Sequence, residues 1–325
     1  MPSPLPETLG PYRVRELLGR AGQSAVFKAV DPKGRPVAVK LFPPALSEDP
    51  AAVERFHREL RAATAVTRHP NLVQILDTGQ EGERLYLAME LVEGTSLDRL
   101  LKQRRLSPAE AFTVMRGICR GLAQGHAHGL VHRSLTPRNV LVSTDFSTVK
   151  VSDLGAVGFE TASPSLTATL STGEIHLGAL YYLAPEILEG TGAADARADL
   201  YSAGVIFHEM LTGRPPGPKF GLPSQLDPAL SPEIDVVALR CLARRPEERY
   251  AGAGDLLAVL ERLEETLRLR TLTEVRGLSR AGSRLLGGGG KTGKPETGGR
   301  PALLYIGLAL LALAVVAGVV YWLTR

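Results

Sequence analysis

Apolar residues along the first ninety or so positions come in short alternating runs. Tyr12–Leu18, Ala25–Val30 and Pro36–Phe42 carry the Val, Phe and Tyr content of strands, with a turn signal at Asp31-Pro32-Lys33-Gly34 between the last two. Ala51–Thr67 keeps its charges to one face and predicts a helix; Leu85–Leu91 is a further apolar strand. Beyond Gly94 the period lengthens, and Ser96–Gln103, Pro108–His128, Asp199–Leu211, Pro232–Leu242 and Ala253–Arg268 all repeat as helices do. Between about Pro11 and Leu263 the pattern predicts a small β-rich lobe followed by a helical one, an α+β chain.

A different pattern closes the sequence. Ala302–Leu323 is 22 residues without a charge, with Tyr305 near one end and Tyr321 and Trp322 near the other. As a helix it would reach ~33 Å, enough for a bilayer core of about 30 Å. Basic residues precede it and only Thr324 and Arg325 follow, so the expected arrangement is a single C-terminal anchor with the preceding domain on the cytoplasmic side. Residues 281–300 are Gly-rich and predict a flexible tether of ~25 Å root-mean-square span. Their GGGGKT run is not a phosphate-binding loop, because Leu285 stands where that motif needs its first glycine and no strand precedes it.

Charge sharpens this division. The chain carries +4 overall, yet residues 266–300 hold eight Lys or Arg against Glu274 and Glu296, so residues 1–265 are net acidic. That argues against a basic nucleic-acid face on the folded part and suits the basic tail to anionic headgroups. Cys119 and Cys241 form no metal-binding spacing and read as two buried thiols of a reducing compartment.

Several motifs then fall on the two-lobed frame in order. LGRAGQSAVFKA (Leu18–Ala29), VAVK (Val37–Lys40), RFHREL around Glu59, HRSLTPRN (His132–Asn139), VSDLGA (Val151–Ala156) and GALYYLAPE (Gly178–Glu186) are followed by Asp199 in DLYSAGV and Arg249 in RPEERY. Together they resemble the protein kinase family, and most closely its bacterial-type Ser/Thr members. The resemblance implies a bilobal kinase fold over residues 11–265, with an N-lobe to about residue 92 and a C-lobe from about 93. A linker over 266–301 and a transmembrane helix over 302–323 would complete the chain. It implies ATP and Mg²⁺ as cofactors, and protein partners or substrates in a signalling pathway, an active kinase among them.

Residue by residue, the resemblance assigns Gly19 to the glycine-rich loop, whose other two glycines are Ala21 and Ser24 here. Lys40 would reach the α- and β-phosphates, paired with Glu59. Met89 would back the adenine pocket, Glu90 to Val92 would form the hinge, and Val26, Ala38 and Leu141 would enclose the ring. Asp153 would bind Mg²⁺, joined by Asn139. His132, Arg133, Glu186, Asp199 and Arg249 would be scaffold, with Arg249 paired to Glu186. Arg133 would also be placed to meet a phosphate on the seven Ser and Thr residues of Thr161–Thr172.

Three positions depart from the family, and they belong together. Ser134 replaces the Asp that takes the substrate hydroxyl proton, Thr136 the Lys that steadies the moving phosphate, and Ala179 the Thr that bridges those two. The retained residues hold nucleotide and metal; the lost ones engage the transfer. A general base contributes ~10²–10⁴ in rate, yet phosphoryl transfer rests largely on positioning. Three readings stay open: a nucleotide-binding pseudokinase acting through partners, a slow or unconventional Ser/Thr kinase, and a membrane adaptor that binds no nucleotide.

Overall fold

The computed structural model describes residues 6–21, 24–44, 50–155, 177–190, 195–217 and 220–286. The chain divides into two units, Met1–Leu263 and Glu264–Arg325.

The first unit opens with a six-stranded antiparallel sheet. Its strands are β1 (Thr8–Leu9), β2 (Tyr12–Ala21), β3 (Ser24–Val30), β4 (Pro36–Leu41), β5 (Ile75–Glu81) and β6 (Arg84–Glu90), in the order β1-β2-β3-β4-β6-β5. Strand alternation decides what each face carries. On β4, Val37, Val39 and Leu41 join Ala25, Phe27 and Ala29 of β3 in one cluster with Tyr12 and Tyr86. Ala38, between them, faces a second cluster with Leu85, Leu87 and Met89 of β6, and Lys40 shares its parity. Helix α1 (Pro50–Val66) closes this second face with Phe56, Leu60 and Ala63, spaced four and three residues apart on one side of the helix. Phe56 meets Phe42 edge to face at 5.1 Å.

The helical lobe follows: α2 (Leu97–Gln103), α3 (Pro108–His126), α4 (Pro185–Glu189), α5 (Ala196–Thr212), α6 (Pro223–Leu226), α7 (Pro232–Cys241) and α8, which begins at Ala253. Helix α3 starts on a complete capping box, Ser107 with Glu110, and Pro108 in its first turn. A small sheet of β7 (Thr95–Ser96), β8 (Val140–Val142) and β9 (Val149–Val151) belongs to this part of the chain, and its short strands were not legible as periodicity. Val73 N–H donates to the Val151 carbonyl and Val151 N–H to that of Asn71, which stitches β9 to the segment leaving α1.

Helix α3 approaches this seam closely because glycines line it. A Cβ on Gly117 would lie 2.6 Å from Val149, and one on Gly121 2.6 Å from the Asn71 carbonyl oxygen. Gly121→Ala must therefore shift backbone, at a cost of about 1–3 kcal/mol. The expected result is a melting temperature lower by about 2–4 °C per kcal/mol, read by calorimetry.

One expectation changes here. Helix α8 runs from Ala253 to Leu286, so residues 281–286 are helical where a tether was expected. Leu, Arg and Glu favour helix strongly enough to carry it through Gly277 and Gly282. Between α5 and α7 lies the single turn α6, tied down where Ser224 N–H and hydroxyl donate to Asp235. The rest of the tether and the segment Ala302–Leu323 lie outside the described residues. Among the described residues no helix is long and apolar enough to cross a membrane.

Candidate functional site

Directly after β9 the backbone turns through Asp153 at φ 62°, a left-handed conformation that a carboxylate-bearing residue tolerates better than most. Leu154 anchors the turn, buried with its side chain against Gly125 of α3, where a Cβ would come within 2.7 Å. The Asp153 carboxylate is thereby aimed at β4. Lys40 Nζ donates to Oδ1 at 3.0 Å, while Asn139 Nδ2 at 2.9 Å and the Ser152 hydroxyl at 3.1 Å donate to Oδ2. Burial pushes this carboxyl upward, but the Lys40 charge and hydrogen bond, with the Asn139 bond, outweigh it and hold it below the usual carboxylate range.

The loop carrying Asn139 hangs from one buried carboxylate. Asp199, at the start of α5 and 0% exposed, accepts from the backbone N–H groups of His132 and Arg133 at 2.8 and 2.7 Å and lies 2.8 Å from His126 Nε2. His132 Nε2 lies 2.9 Å from the Ser152 carbonyl, which couples the loop to the residue before Asp153. Arg133 adopts φ 66° and leaves its side chain exposed. Thr136 then caps a short 3-10 turn, Pro137–Asn139.

The three substituted positions are placed as follows. Ser134 is half-buried and makes no hydrogen bond among the described residues. Thr136 spends its hydroxyl on Asn139 at 2.8 Å. Ala179 lies in the 3-10 turn Leu177–Tyr182, which is fixed to α5 by the Ser202 hydroxyl donating to the Tyr182 carbonyl at 2.7 Å. Ala179 has no hydroxyl to bridge anything.

Glu59 departs from its expected partnership. It sits half-buried on α1 and makes no ion pair with Lys40, whose ammonium meets Asp153. The more deeply buried carboxylate has the greater need of a countercharge. The apolar walls do converge: Val26, Ala38, Met89, Val92 and Leu141 belong to or pack against one cluster, with Val26 opposite Lys40 and Ala38 opposite Met89 in the strand register.

Two fixings around this cleft were not read from the sequence. Glu90 is held by Lys150 of β9 at 2.6 Å and by Gln74 N–H at 2.8 Å. Arg99 of α2 donates to the Leu18 carbonyl at 3.0 Å, pinning the strand just before Gly19. An ion pair between residues 60 positions apart has no local signature. Below the cleft, Arg249 grips Glu186 through two bonds of 2.7 and 2.8 Å and donates to the carbonyls of Ala243, Arg197 and Arg244. An ammonium, a buried carboxylate and the apolar residues around Ala38 and Met89 suit a nucleotide with its cation, for which Asp153 would be the oxygen ligand.

Residues 12–258 match the family described as protein kinase domain. The chain is 36% identical over 275 residues to serine/threonine-protein kinase PknH of Mycobacterium bovis, covering 79% of this chain and 44% of that protein. It is 37% identical over 264 residues to PknE of Mycobacterium tuberculosis, with 77% and 45% covered. A probable serine/threonine-protein kinase of Streptomyces coelicolor is 34% identical over 272 residues, with 78% and 40% covered. The chain thus spans less than half the length of these curated relatives. The crystal structure of the Mycobacterium tuberculosis PknI kinase domain aligns with TM-score 0.63 at 25% identity, over 78% of this chain and 96% of that one.

Proposed function

This chain belongs to the protein kinase family, among its Ser/Thr members, and from that premise we propose that it binds ATP with a divalent cation but signals as a pseudokinase, through protein partners. One observation carries this reading. Lys40, Asp153 and Asn139 form one hydrogen-bonded unit, while the transfer positions are a serine with no hydrogen bond among the described residues, a threonine committed to Asn139, and an alanine. A serine hydroxyl is far too weak a base to keep a proton at pH 7, and nothing at position 136 neutralises a moving phosphate. Bound as its Mg²⁺ complex, ATP supplies an activated γ-phosphate; Lys40 and Asp153 would hold it, and Val26, Ala38, Met89 and Leu141 would enclose its base. The basic residues after Leu263 and the apolar run Ala302–Leu323 support a membrane tether for the same domain.

Binding is tested by melting. Mg·ATP at about a hundred times its Kd stabilises by about 2.7 kcal/mol, or roughly 5–10 °C in a domain of this size. The rise is expected in the wild type and absent in Lys40→Ala, each measured against its own nucleotide-free baseline. No rise in the wild type would favour a nucleotide-free adaptor instead.

A further inference from the structure

Thr136 does more than remove a lysine, because its hydroxyl adds a second and shorter bond to the way Asn139 points. The Thr136 backbone N–H and hydroxyl both donate to Asn139 Oδ1, at 3.1 and 2.8 Å, while Asn139 Nδ2 donates to Asp153 Oδ2 at 2.9 Å. Polarity fixes this orientation at both ends. A backbone N–H can only donate, so the atom it meets must be the amide oxygen. An ionised carboxylate can only accept, so the atom facing Asp153 must be the amide nitrogen. Flipping the amide would set donor against donor and acceptor against acceptor. Arg138 N–H donates to the Thr136 hydroxyl at 3.3 Å, which leaves the hydroxyl proton for Asn139.

Asn139 therefore turns a donor face toward Asp153, whereas hard divalent cations take oxygen ligands. We propose that the Thr136 hydroxyl converts Asn139 from a cation ligand into a positioning residue for Asp153, so that this chain binds its nucleotide with one divalent cation where the family's catalytic-loop Asn serves a second. The inference rests on the nucleotide-binding reading above and specifies its metal stoichiometry. A lysine at 136 would keep the backbone donor but lose the shorter hydroxyl bond.

The experiment counts Mn²⁺ by electron paramagnetic resonance on the full chain saturated with a non-hydrolysable ATP analogue, with melting of the same samples as a control for nucleotide binding. The wild type is expected to hold one Mn²⁺, Asn139→Ala also one, and Thr136→Val, which keeps the shape and deletes the hydroxyl, a second and weaker ion. A wild-type count of two that falls to one in Asn139→Ala overturns the proposal. A count that stays at one in Thr136→Val overturns the role given to the hydroxyl. Absence of any analogue-dependent rise in melting overturns the nucleotide reading along with it, and is distinct from a wrong count on a protein that binds.

Discussion

Restoring Ser134→Asp, Thr136→Lys and Ala179→Thr together is expected to raise autophosphorylation by about 10²–10⁴ over the wild type, the contribution of a positioned general base. The frame such a triad needs is already in place. Asp199 holds the loop by two backbone N–H groups, His132 ties it to Ser152, and Pro137–Asn139 closes the turn. Residue 134 therefore sits on a fixed backbone, and the new carboxylate need not organise one. The lysine at 136 would also remove the hydroxyl bond to Asn139 and leave its oxygen only the backbone donor. Single replacements are expected to gain far less, because residues that act as one unit are strongly non-additive. The readout is incorporation of radiolabelled phosphate with Lys40→Ala in the same background as the control. No gain from the triple variant would mean that Glu59, which does not meet Lys40, limits the site as much as the missing base does.

The second large effect concerns stability. Arg249→Ala removes a guanidinium only 2% exposed and leaves Glu186 and three carbonyls without their donor. Breaking one side of a buried pair costs about 3–5 kcal/mol, so melting should fall by roughly 10 °C. The acid limb should change as well. Burial raises the Glu186 carboxyl, but the Arg249 bond and charge more than offset it and leave it lowered. A carboxyl lowered in the folded state contributes stability that is present above its unfolded pKa of about 4.3 and is lost as pH falls further. The variant should therefore lose less stability than the wild type on acidification below that point. Equal melting of the two proteins would contradict the assignment.

Much of the N-lobe was legible because alternation is a two-residue signal. Once Pro36–Phe42 reads as a strand, Ala38 and Lys40 must share a face, and the structure places Ala38 with Met89 and Val26 as that parity requires. The resemblance carried by the motifs likewise implied that Lys40, Asn139 and Asp153 share one neighbourhood. Competition between groups was not legible. A sequence shows that Lys40 has both Glu59 and Asp153 on offer, and only packing decides that the more buried carboxylate takes it. Nor could spacing reveal that Thr136 would cap the turn and claim the Asn139 oxygen, since that depends on the backbone of Pro137–Asn139. Strands of three residues, such as β8 and β9, are too short for any periodicity to stand out. Helix α8 runs past the expected end at Arg268 for a simpler reason: the residues around Gly277 and Gly282 are strong helix formers.

The division between binding nucleotide and transferring its phosphate is tested most directly by a single assay of the wild-type chain. Radiolabelled ATP with Mg²⁺ is incubated with the protein and a general acceptor such as myelin basic protein, beside Lys40→Ala. The account predicts that incorporation by the wild type does not exceed that of Lys40→Ala. Incorporation that is clear in the wild type and lost in Lys40→Ala would contradict it and make the chain a working kinase without its usual base.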